Sequence, residues 1–262
     1  MVVQRLSVAQ VHEILEDCRG QLGEGTNGCV FFVYYGELEC ALKIGFDPSD
    51  RPQYTNEMER MELIGGAGGA PVPLGFCPEM PALLMTFCGA HNLSEHLDEE
   101  ASVGTYDLEY ILDLGLQVTE RLQEIHAIDF VHCDLKSDNV SVRLNPSLRT
   151  LESVHIIDFG FARRVGERQR PREKVSCMEW YCDCMFTGAP LTPACDLPGL
   201  AYILKDLFYY RNDMPRELRR LASLCASTDH EERPSLDQVR ECLLREIAEC
   251  SQPSGCPSPA SH

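Results

Sequence analysis

The sequence predicts an α+β protein of two lobes: an N-terminal lobe built on an antiparallel β-sheet with one main helix, and a larger, mainly α-helical C-terminal lobe. Two observations predict this. Between residues 21 and 88 short β-type runs alternate with turn formers, whereas from residue 92 onward apolar residues recur at helical spacing. Strands and helices segregated along the chain form α+β folds, and a cleft between lobes is a favoured ligand site.

The small lobe, residues 21–88, contains four predicted strands and one predicted helix. The strands are residues 30–35, 40–44, 72–76 and 82–87, and the helix is residues 55–64. Gly36 and the glycine-rich run 65–69 separate them, because glycine tolerates the backbone angles of tight turns.

The large lobe, residues 92–250, has three segments whose apolar residues recur at helical spacing. They are Ile111, Leu112, Val118, Leu122 and Ile125; Leu200, Ile203, Leu204 and Leu207; and Leu218, Leu221 and Leu224. Ser235 and Gln238, three residues apart, predict a capping box that opens a last helix. Residues 1–20 are expected to form an N-terminal extension, and the Pro- and Ser-rich residues 251–262 a disordered tail.

Charge and composition exclude several classes of protein. The 262 residues include 23 basic and 41 acidic side chains, and the formal charge of −18 argues against binding to nucleic acids or anionic membranes. The N-terminus lacks a signal-peptide core, and the apolar run 29–35 is far too short for membrane insertion. We therefore expect reduced cysteines in a soluble intracellular protein, cytoplasmic or nuclear. The sequence does not predict an oligomeric state.

The first motif with chemical potential is Gly23-Glu24-Gly25-Thr26-Asn27-Gly28, followed by Val30. Glycines let a strand–turn–strand backbone approach an anion closely and offer it N–H groups. Glycine-rich turns are common, so this motif alone is weak evidence. A β-run rather than a helix follows Gly28, which argues against a dinucleotide-binding fold and favours a loop that covers phosphates.

A lysine in the next β-run is the second motif. Lys43, two residues after Ala41, is either an ordinary surface lysine or a side chain that reaches the same phosphates. In the second case it needs a carboxylate to hold it. Glu57 is the first acid in the predicted helix 55–64, and Glu59 and Glu62 are alternatives that the sequence leaves open.

The strongest motif is the run His132-Cys133-Asp134-Leu135-Lys136-Ser137-Asp138-Asn139, which lies between the short β-runs 130–131 and 140–144. Asp158-Phe159-Gly160 follows the β-run 154–157. Asp134 is suited to accept the proton of an attacking hydroxyl, and Lys136 to neutralise a phosphoryl group in transfer. Asn139 and Asp158 supply the hard oxygen ligands that Mg²⁺ prefers.

In this order and spacing, the motifs resemble those of the eukaryotic protein kinase superfamily, serine/threonine type, over residues 21–249. The resemblance implies a bilobal protein-kinase-like fold with ATP between the lobes, one or two Mg²⁺ ions, and a protein substrate whose identity stays open. Asp134 and Lys136 would be catalytic, and Asn139 and Asp158 would hold the metal. The nucleotide-binding residues that the resemblance implies are Gly23, Glu24, Gly25, Thr26, Asn27, Gly28, Val30, Ala41, Lys43, Glu57, Met85, Phe87, Cys88, Asn92 and Ser141.

Later landmarks of the family are also present. The run 85–88 resembles the gatekeeper and hinge that meet adenine, and Asn92 resembles a ribose contact. Asp196 resembles the buried aspartate that opens the central helix of the large lobe, and Arg233 belongs to a late Arg-Pro signature. Lys136, two residues after the catalytic aspartate, follows the serine/threonine form of the loop.

Two departures from the family pattern concern regulation. Cys133 replaces an arginine that pairs with a phosphorylated activation segment, so we expect no obligatory phosphorylation switch, and Ser176→Ala should keep activity. Met185 replaces the glutamate that pairs with Arg233. Because a buried guanidinium without a carboxylate is costly, Arg233 is expected to find another acid, such as Asp183, or to reach solvent.

Three further departures concern substrate docking and adenine. Met178 stands where serine/threonine kinases place a threonine near the catalytic aspartate. The interval from Asp196 to Arg233 is short, which we interpret as the loss or shortening of a substrate-docking helix. Ser141 replaces an apolar residue beneath adenine. The phosphate, metal and base positions are intact, and these normally carry orders of magnitude in rate.

The activation segment, residues 158–185, carries a basic patch and begins a group of cysteines. The patch consists of Arg163, Arg164, Arg168, Arg170, Arg172 and Lys174, and is either a solvated loop or an attractor for an acidic substrate or phosphate group. Cys177, Cys182, Cys184 and Cys195 are close enough in sequence to raise the question of zinc. Their spacing matches no usual paired Cys-x-x-Cys form, so buried free thiols are expected.

The sequence leaves two other functions open. The altered segment 178–185 is compatible with a pseudokinase, a binding or scaffold module without turnover. The eroded docking features are compatible with a small-molecule phosphotransferase of kinase-like fold, although the complete glycine loop and Lys136 argue against it.

Overall fold

The protein is described by a computed structural model over residues 3–25, 28–104, 107–145, 147, 150–174 and 178–251, in which two lobes meet around residues 87–90. The strands are β1 (Gln4–Arg5), β2 (Gly20–Gly25), β3 (Gly28–Tyr35), β4 (Leu38–Gly45), β5 (Pro73–Cys77), β6 (Ala82–Thr86), β7 (His91–Asn92), β8 (Phe130–Val131), β9 (Val140–Leu144), β10 (Leu151–Ile156) and β11 (Arg163–Arg164). The helices are α1 (Val8–Glu16), α2 (Arg51–Ile64), α3 (Leu93–Val103), α4 (Leu108–Ala127), α5 (Cys184–Thr187), α6 (Leu197–Leu207), α7 (Arg216–Cys225) and α8 (Leu236–Cys250).

A six-stranded sheet in the order β1-β5-β6-β4-β3-β2 forms the small lobe. The predicted antiparallel sheet is confirmed for β2 to β6, and β1 adds a parallel edge strand beside β5. Side chains alternate between its faces. Leu42 and Leu84 pack in a cluster on one face, whereas Ala41 and Leu83 belong to the core shared with the large lobe.

The N-terminal residues, expected to form an extension, pack on this small lobe. β1 pairs with β5, and Leu6, Val11 and Ile14 are buried against the sheet face that carries Leu42. Ser7 starts α1 with a capping box. The apolar positions of this segment are too few to predict burial by themselves, because the sheet that they cover is assembled from later residues.

α4 is the central helix of the large lobe and packs against α6 and α8. The capping box predicted at Ser235 is confirmed: its hydroxyl accepts the Gln238 N–H, and the Gln238 side chain accepts the Ser235 N–H. β9 and β10 form an antiparallel hairpin whose open end faces the small lobe. Of the predicted tail only Ser251 lies within the described residues. Among the described helices, none combines the length and hydropathy of a membrane span.

Candidate active site

Lys43 and Glu57 form a buried ion pair beneath the sheet. Lys43 Nζ lies 2.8 Å from each carboxylate oxygen of Glu57, whose exposure is only 2%. α2 turns Glu57 inward together with Tyr54 and Met61, while Glu59 and Glu62 are exposed. Of the three acids that the sequence left open, the helix therefore presents Glu57 to the lysine.

Asp158 completes this charge arrangement from the large lobe. Its Oδ1 lies 3.6 Å from Lys43 Nζ, and its backbone has a φ of 62°, a left-handed conformation unusual outside glycine. Burial lowers the pKa of Lys43, but Glu57 and Asp158 outweigh it and raise this pKa above its ordinary value. The Lys43 ammonium in turn lowers the pKa of Asp158. An ammonium and a carboxylate therefore face each other at neutral pH.

Asp134 and Asn139 lie at the end of the β9–β10 hairpin next to Asp158. The Asn139 amide nitrogen donates to the Asp134 carbonyl at 2.7 Å and to Asp134 Oδ2 at 2.9 Å. The Ile157 N–H donates to the Asn139 carbonyl, which joins the two segments. Asn139 Oδ1 has no hydrogen-bond partner among the residues described here, so it is available to a ligand.

The loop that carries Asp134 is anchored by a buried carboxylate. Asp196, 2% exposed and directly before α6, accepts the N–H groups of His132 and Cys133 at 2.8 and 2.7 Å. His126 Nε2 lies 2.9 Å from the same carboxylate. Cys133 has a φ of 68°, so these hydrogen bonds hold a strained turn in place. The predicted burial of Asp196 at the start of the central helix is confirmed.

Trp180 covers the loop that carries Asp134, a contact that the sequence did not predict. Its Nε1–H donates to Asp134 Oδ1 at 3.0 Å. Lys136 Nζ lies 5.2 Å from the centre of the indole ring and 3.8 Å from Asp138 Oδ2. Trp180 is the single tryptophan of the chain, but nothing in its local sequence points to Asp134.

The glycines of the motif lie on the paired strands β2 and β3, Gly23 and Gly25 on β2 and Gly28 on β3. A Cβ at Gly23 or Gly25 would meet no heavy atom within 4 Å, so the space beside these two residues is open. A Cβ at Gly28 would lie 2.2 Å from the Ile44 carbonyl oxygen, so glycine is required there. Glu24 is an exposed residue of β2, and Val30 is opposite Lys43 in the β3–β4 register. Thr26 and Asn27 lie outside the described residues.

The predicted hinge follows β6 at the junction of the lobes. Met85 and Ala41 are opposite each other in the β4–β6 register and are both nearly buried. The Phe87 N–H donates to the Glu39 carbonyl. The Cys88 N–H has no acceptor among the described residues and is available to a ligand.

Asn92 and Ser141 make contacts that their predicted roles did not include. The Asn92 side chain caps α3, with Oδ1 accepting the Glu95 N–H at 2.9 Å. Its oxygen is therefore committed to the helix, and only the amide nitrogen remains for a ribose. The Ser141 hydroxyl donates to the His91 carbonyl at 3.4 Å, which satisfies this polar group in its buried position.

Among the described residues, Arg233 has no acid partner of the kind expected. Arg233 donates to the carbonyls of Ala194 and Ser227 and contacts Cys182 Sγ at 3.3 Å. Asp183 pairs with Lys174 instead. Met185, at 1% exposure, packs in an apolar cluster with Val131, Cys133, Cys182, Phe186, Leu191 and Cys195. The end of the activation segment is thus attached by apolar packing and sulfur contacts rather than by a carboxylate–guanidinium pair.

The basic patch remains on the surface. Arg164, Arg168, Arg170, Arg172 and Lys174 are exposed, and Arg163 is half-buried with its guanidinium on nearby carbonyls. Arg164 and Arg172 lie over the rings of Phe130 and Phe186. Ser176 and Cys177, which the sequence analysis named in this segment, lie outside the described residues.

Comparison with known families agrees with this geometry. The model of the protein kinase domain matches residues 17–215, well over half of the chain. The chain belongs to the protein kinase family. The match begins within the segment expected to be an extension and ends before α7.

Several relatives are similar to parts of this kinase domain. A probable serine/threonine-protein kinase of Dictyostelium discoideum is 35% identical over 116 residues, which are 38% of this chain and 23% of that protein. A casein kinase I homolog of Kluyveromyces lactis is 25% identical over 153 residues, 55% of this chain and 27% of the relative. Casein kinase I homolog 2 of Saccharomyces cerevisiae is 24% identical over 154 residues, 55% of this chain and 26% of the relative. Each match spans about a quarter of the relative's length.

The residues of the cleft fit the ligands that kinase domains generally use, ATP and Mg²⁺. Asn139 Oδ1 and the Asp158 carboxylate are hard oxygen donors on adjacent segments. The Lys43 ammonium and the open space beside Gly23 and Gly25 suit phosphate groups. The unpartnered Cys88 N–H suits an adenine nitrogen.

Proposed function

We propose that this kinase domain transfers the γ-phosphoryl group of ATP to serine or threonine hydroxyls of a protein substrate in the presence of Mg²⁺. One observation carries the proposal. Lys43 Nζ lies 2.8 Å from Glu57 and 3.6 Å from Asp158, so a cation held by the small lobe meets a carboxylate of the large lobe. Asp134 and Asn139 lie on the segment bonded to the residue before Asp158.

Three side chains would bind the phosphates and the metal. The Lys43 ammonium, held by Glu57, would contact the inner phosphates. Asn139 and Asp158 would hold one or two Mg²⁺ ions. When bound, Mg²⁺ neutralises the charge that develops on the phosphoryl oxygens. Lys43 leaves Asp158 only partly paired at 3.6 Å, so the carboxylate can turn to a metal without breaking a tight hydrogen bond.

Asp134 would orient the substrate hydroxyl and accept its proton. Asn139 fixes one carboxylate oxygen of Asp134, and the Asp196 anchor fixes the backbone before it. Such preorganisation lowers the cost of reaching the transition state. Lys136, on the same loop, would approach the phosphoryl group in transfer once its ammonium leaves the Trp180 ring. The spacing of Lys136 from Asp134 supports serine or threonine as the acceptor.

The adenine would lie between the lobes at the hinge. The Cys88 N–H would donate to the base, with Met85 and Ala41 above it and Ser141 below. A buried hydroxyl offers less dispersion contact than an aliphatic side chain, so we expect only a modest loss of nucleotide affinity from Ser141.

Radiolabel transfer from ATP tests the proposal. Wild-type protein should label itself or a generic protein acceptor only with Mg²⁺, and Lys43→Met and Asp134→Asn should each reduce the rate at least about 100-fold. Lys205→Met and Asp17→Asn, which change exposed residues, serve as matched controls and should keep the wild-type rate. Equal labelling by wild type and Asp134→Asn would overturn the proposal.

A pseudokinase is the second candidate, and the Trp180–Asp134 hydrogen bond favours it. An indole donor on the catalytic carboxylate occupies space that a substrate hydroxyl needs. This candidate predicts Mg·ATP binding by calorimetry without transfer to any acceptor. Transfer that depends on Asp134 excludes it.

A further inference from the structure

Four side chains that the proposed reaction does not use converge on the side of the large lobe. They are Cys182, Cys184, Cys195 and His230, and their ligand atoms all lie within 4.8 Å of one another. His230 Nε2 is 3.0 Å from Cys182 Sγ and 3.5 Å from Cys184 Sγ. They come from three separate stretches of chain: the start of α5, the 3-10 turn Pro193–Asp196 before α6, and the 3-10 turn His230–Glu232 before α8.

The donor types and distances fit a tetrahedral zinc ion. With Zn–S bonds of about 2.3 Å and Zn–N bonds of about 2.0 Å, tetrahedral geometry separates sulfur pairs by about 3.8 Å and sulfur–nitrogen pairs by about 3.5 Å. The distances around His230 lie near the second value, and small side-chain rotations bring the farthest pair within range. Thiolates and imidazole select zinc over magnesium or calcium, which prefer oxygen.

Arg233 supplies the charge that such a site needs. Three thiolates and one Zn²⁺ ion carry a net charge of −1, which one guanidinium balances. Arg233 Nη1 lies 3.3 Å from Cys182 Sγ, and among the described residues no carboxylate lies within ion-pairing distance of it. The Thr192 N–H donates to Cys195 Sγ at 3.3 Å. Donors of this kind orient and stabilise metal-bound thiolates.

Burial indicates a structural site. Cys182 and Cys195 are 1% and 3% exposed, whereas Cys184 and His230 are half-buried and leave a route for the ion. Four protein donors fill a tetrahedral shell, so no position remains for a reacting water. The sequence spacing does not predict this zinc site, because its fourth donor, His230, is remote along the chain. Cys177 is the cysteine near the other three in sequence, but it is not one of the four donors.

We propose that Cys182, Cys184, Cys195 and His230 bind one structural zinc ion that ties the end of the activation segment to the starts of α6 and α8. The anionic zinc–thiolate group takes the place of a carboxylate, which Arg233 does not meet among the described residues. The site is independent of phosphoryl transfer, so it can be present whether or not the protein is an active kinase.

Metal analysis of the purified full chain tests the proposal. The protein is produced without a polyhistidine tag in zinc-supplemented medium and desalted into metal-free reducing buffer. Elemental mass spectrometry should find about one zinc ion per chain in wild type. The zinc content should fall below about 0.2 ions per chain in Cys184→Ser and in His230→Ala. Cys18→Ser and His12→Gln change exposed residues of the small lobe and should keep the wild-type content. Wild-type protein with below about 0.2 zinc, or variants that keep the full content, would overturn the proposal.

A second measurement on wild type avoids variants that fail to fold. Zinc is exchanged for Co²⁺, whose tetrahedral thiolate complexes absorb strongly in visible light. The expected result is a visible band that saturates at one Co²⁺ per chain and disappears when Zn²⁺, but not Mg²⁺, is added. Folded protein without this band, or with a disulfide among the three cysteines under reducing conditions, contradicts the site.

Discussion

Trp180 donates its indole N–H to Asp134 Oδ1 at 3.0 Å, and Asn139 donates to Oδ2 of the same carboxylate at 2.9 Å. Both oxygens of the proposed catalytic base therefore already have a donor. A substrate hydroxyl has to share Oδ1 with the indole or displace it.

Replacing Trp180 by phenylalanine should raise kcat/KM for a peptide acceptor about tenfold or more, because a competing hydrogen bond to a charged group is worth about 1.5–3 kcal/mol. The phenyl ring keeps the packing against Tyr202 and Lys136. Steady-state peptide phosphorylation measures the change, with Tyr202→Phe as a control that leaves Asp134 untouched. A tenfold decrease would instead make Trp180 a positioning residue for Asp134.

Glu57→Gln should lower kcat/KM about 10- to 100-fold, because the amide cannot hold the Lys43 ammonium as a carboxylate does. Glu59→Gln and Glu62→Gln are matched controls on exposed positions of the same helix and should keep the wild-type value. ATP titrations in the same transfer assay provide the comparison. If all three variants behave alike, the Lys43–Glu57 pair has no role in phosphoryl transfer.

Val11→Ala should lower the free energy of unfolding by about 2 kcal/mol, because it leaves a cavity between α1 and the sheet. Val11 is fully buried, whereas Val8 on the same helix is 37% exposed. Val8→Ala should therefore change stability by less than about 0.5 kcal/mol. Urea unfolding measures both. Equal effects would mean that α1 does not pack on the small lobe in solution.

The half-buried His155 should make stability depend on pH. Its Nδ1 lies 2.7 Å from the Gly69 carbonyl and its Nε2 2.7 Å from the Ser153 hydroxyl, an arrangement that suits the neutral ring. Burial lowers the pKa of His155, which the Gly69 carbonyl only partly opposes.

Because its pKa is lower in the folded state, the unfolded chain binds more protons just below the ordinary pKa of about 6.5. The free energy of unfolding therefore increases as pH rises through this window. The stability that the neutral His155 contributes is lost as pH falls. His155→Gln should reduce the pH dependence of the thermal unfolding midpoint between about pH 7 and pH 5. His12→Gln, which changes an exposed residue of α1, should leave this dependence unchanged. An unchanged slope in His155→Gln would contradict the assignment.

The exposed basic patch should select acidic acceptors. A peptide with three glutamates near its serine should have a KM about five- to tenfold lower than its glutamine counterpart, and the difference should shrink with added salt. Arg170→Glu should reduce the preference, while Arg216→Glu makes the same charge change on α7 and should not. A preference that is independent of ionic strength would point away from the patch.

The sequence by itself determined the order of the chemical motifs and most of the elements that carry them. It also singled out Asp134, Asn139 and Asp158, because the roles proposed for them depend on short motifs next to β-runs. The strands β3 to β6 and the helices α2, α4, α6, α7 and α8 agree with their predicted positions within a few residues. Alternation and helical periodicity are local properties, so they can be read without knowledge of the partner surfaces.

Only the tertiary structure decided which distant side chains meet. It paired Lys43 with Glu57 rather than Glu59, placed Trp180 on Asp134, and brought His230 to the three cysteines. It also assigned the N-terminal residues to the small lobe, since β1 and α1 have their partners in later strands. Such contacts depend on how segments far apart in the chain pack together. The spacing of residues along the sequence does not reveal how close these segments lie in the folded protein.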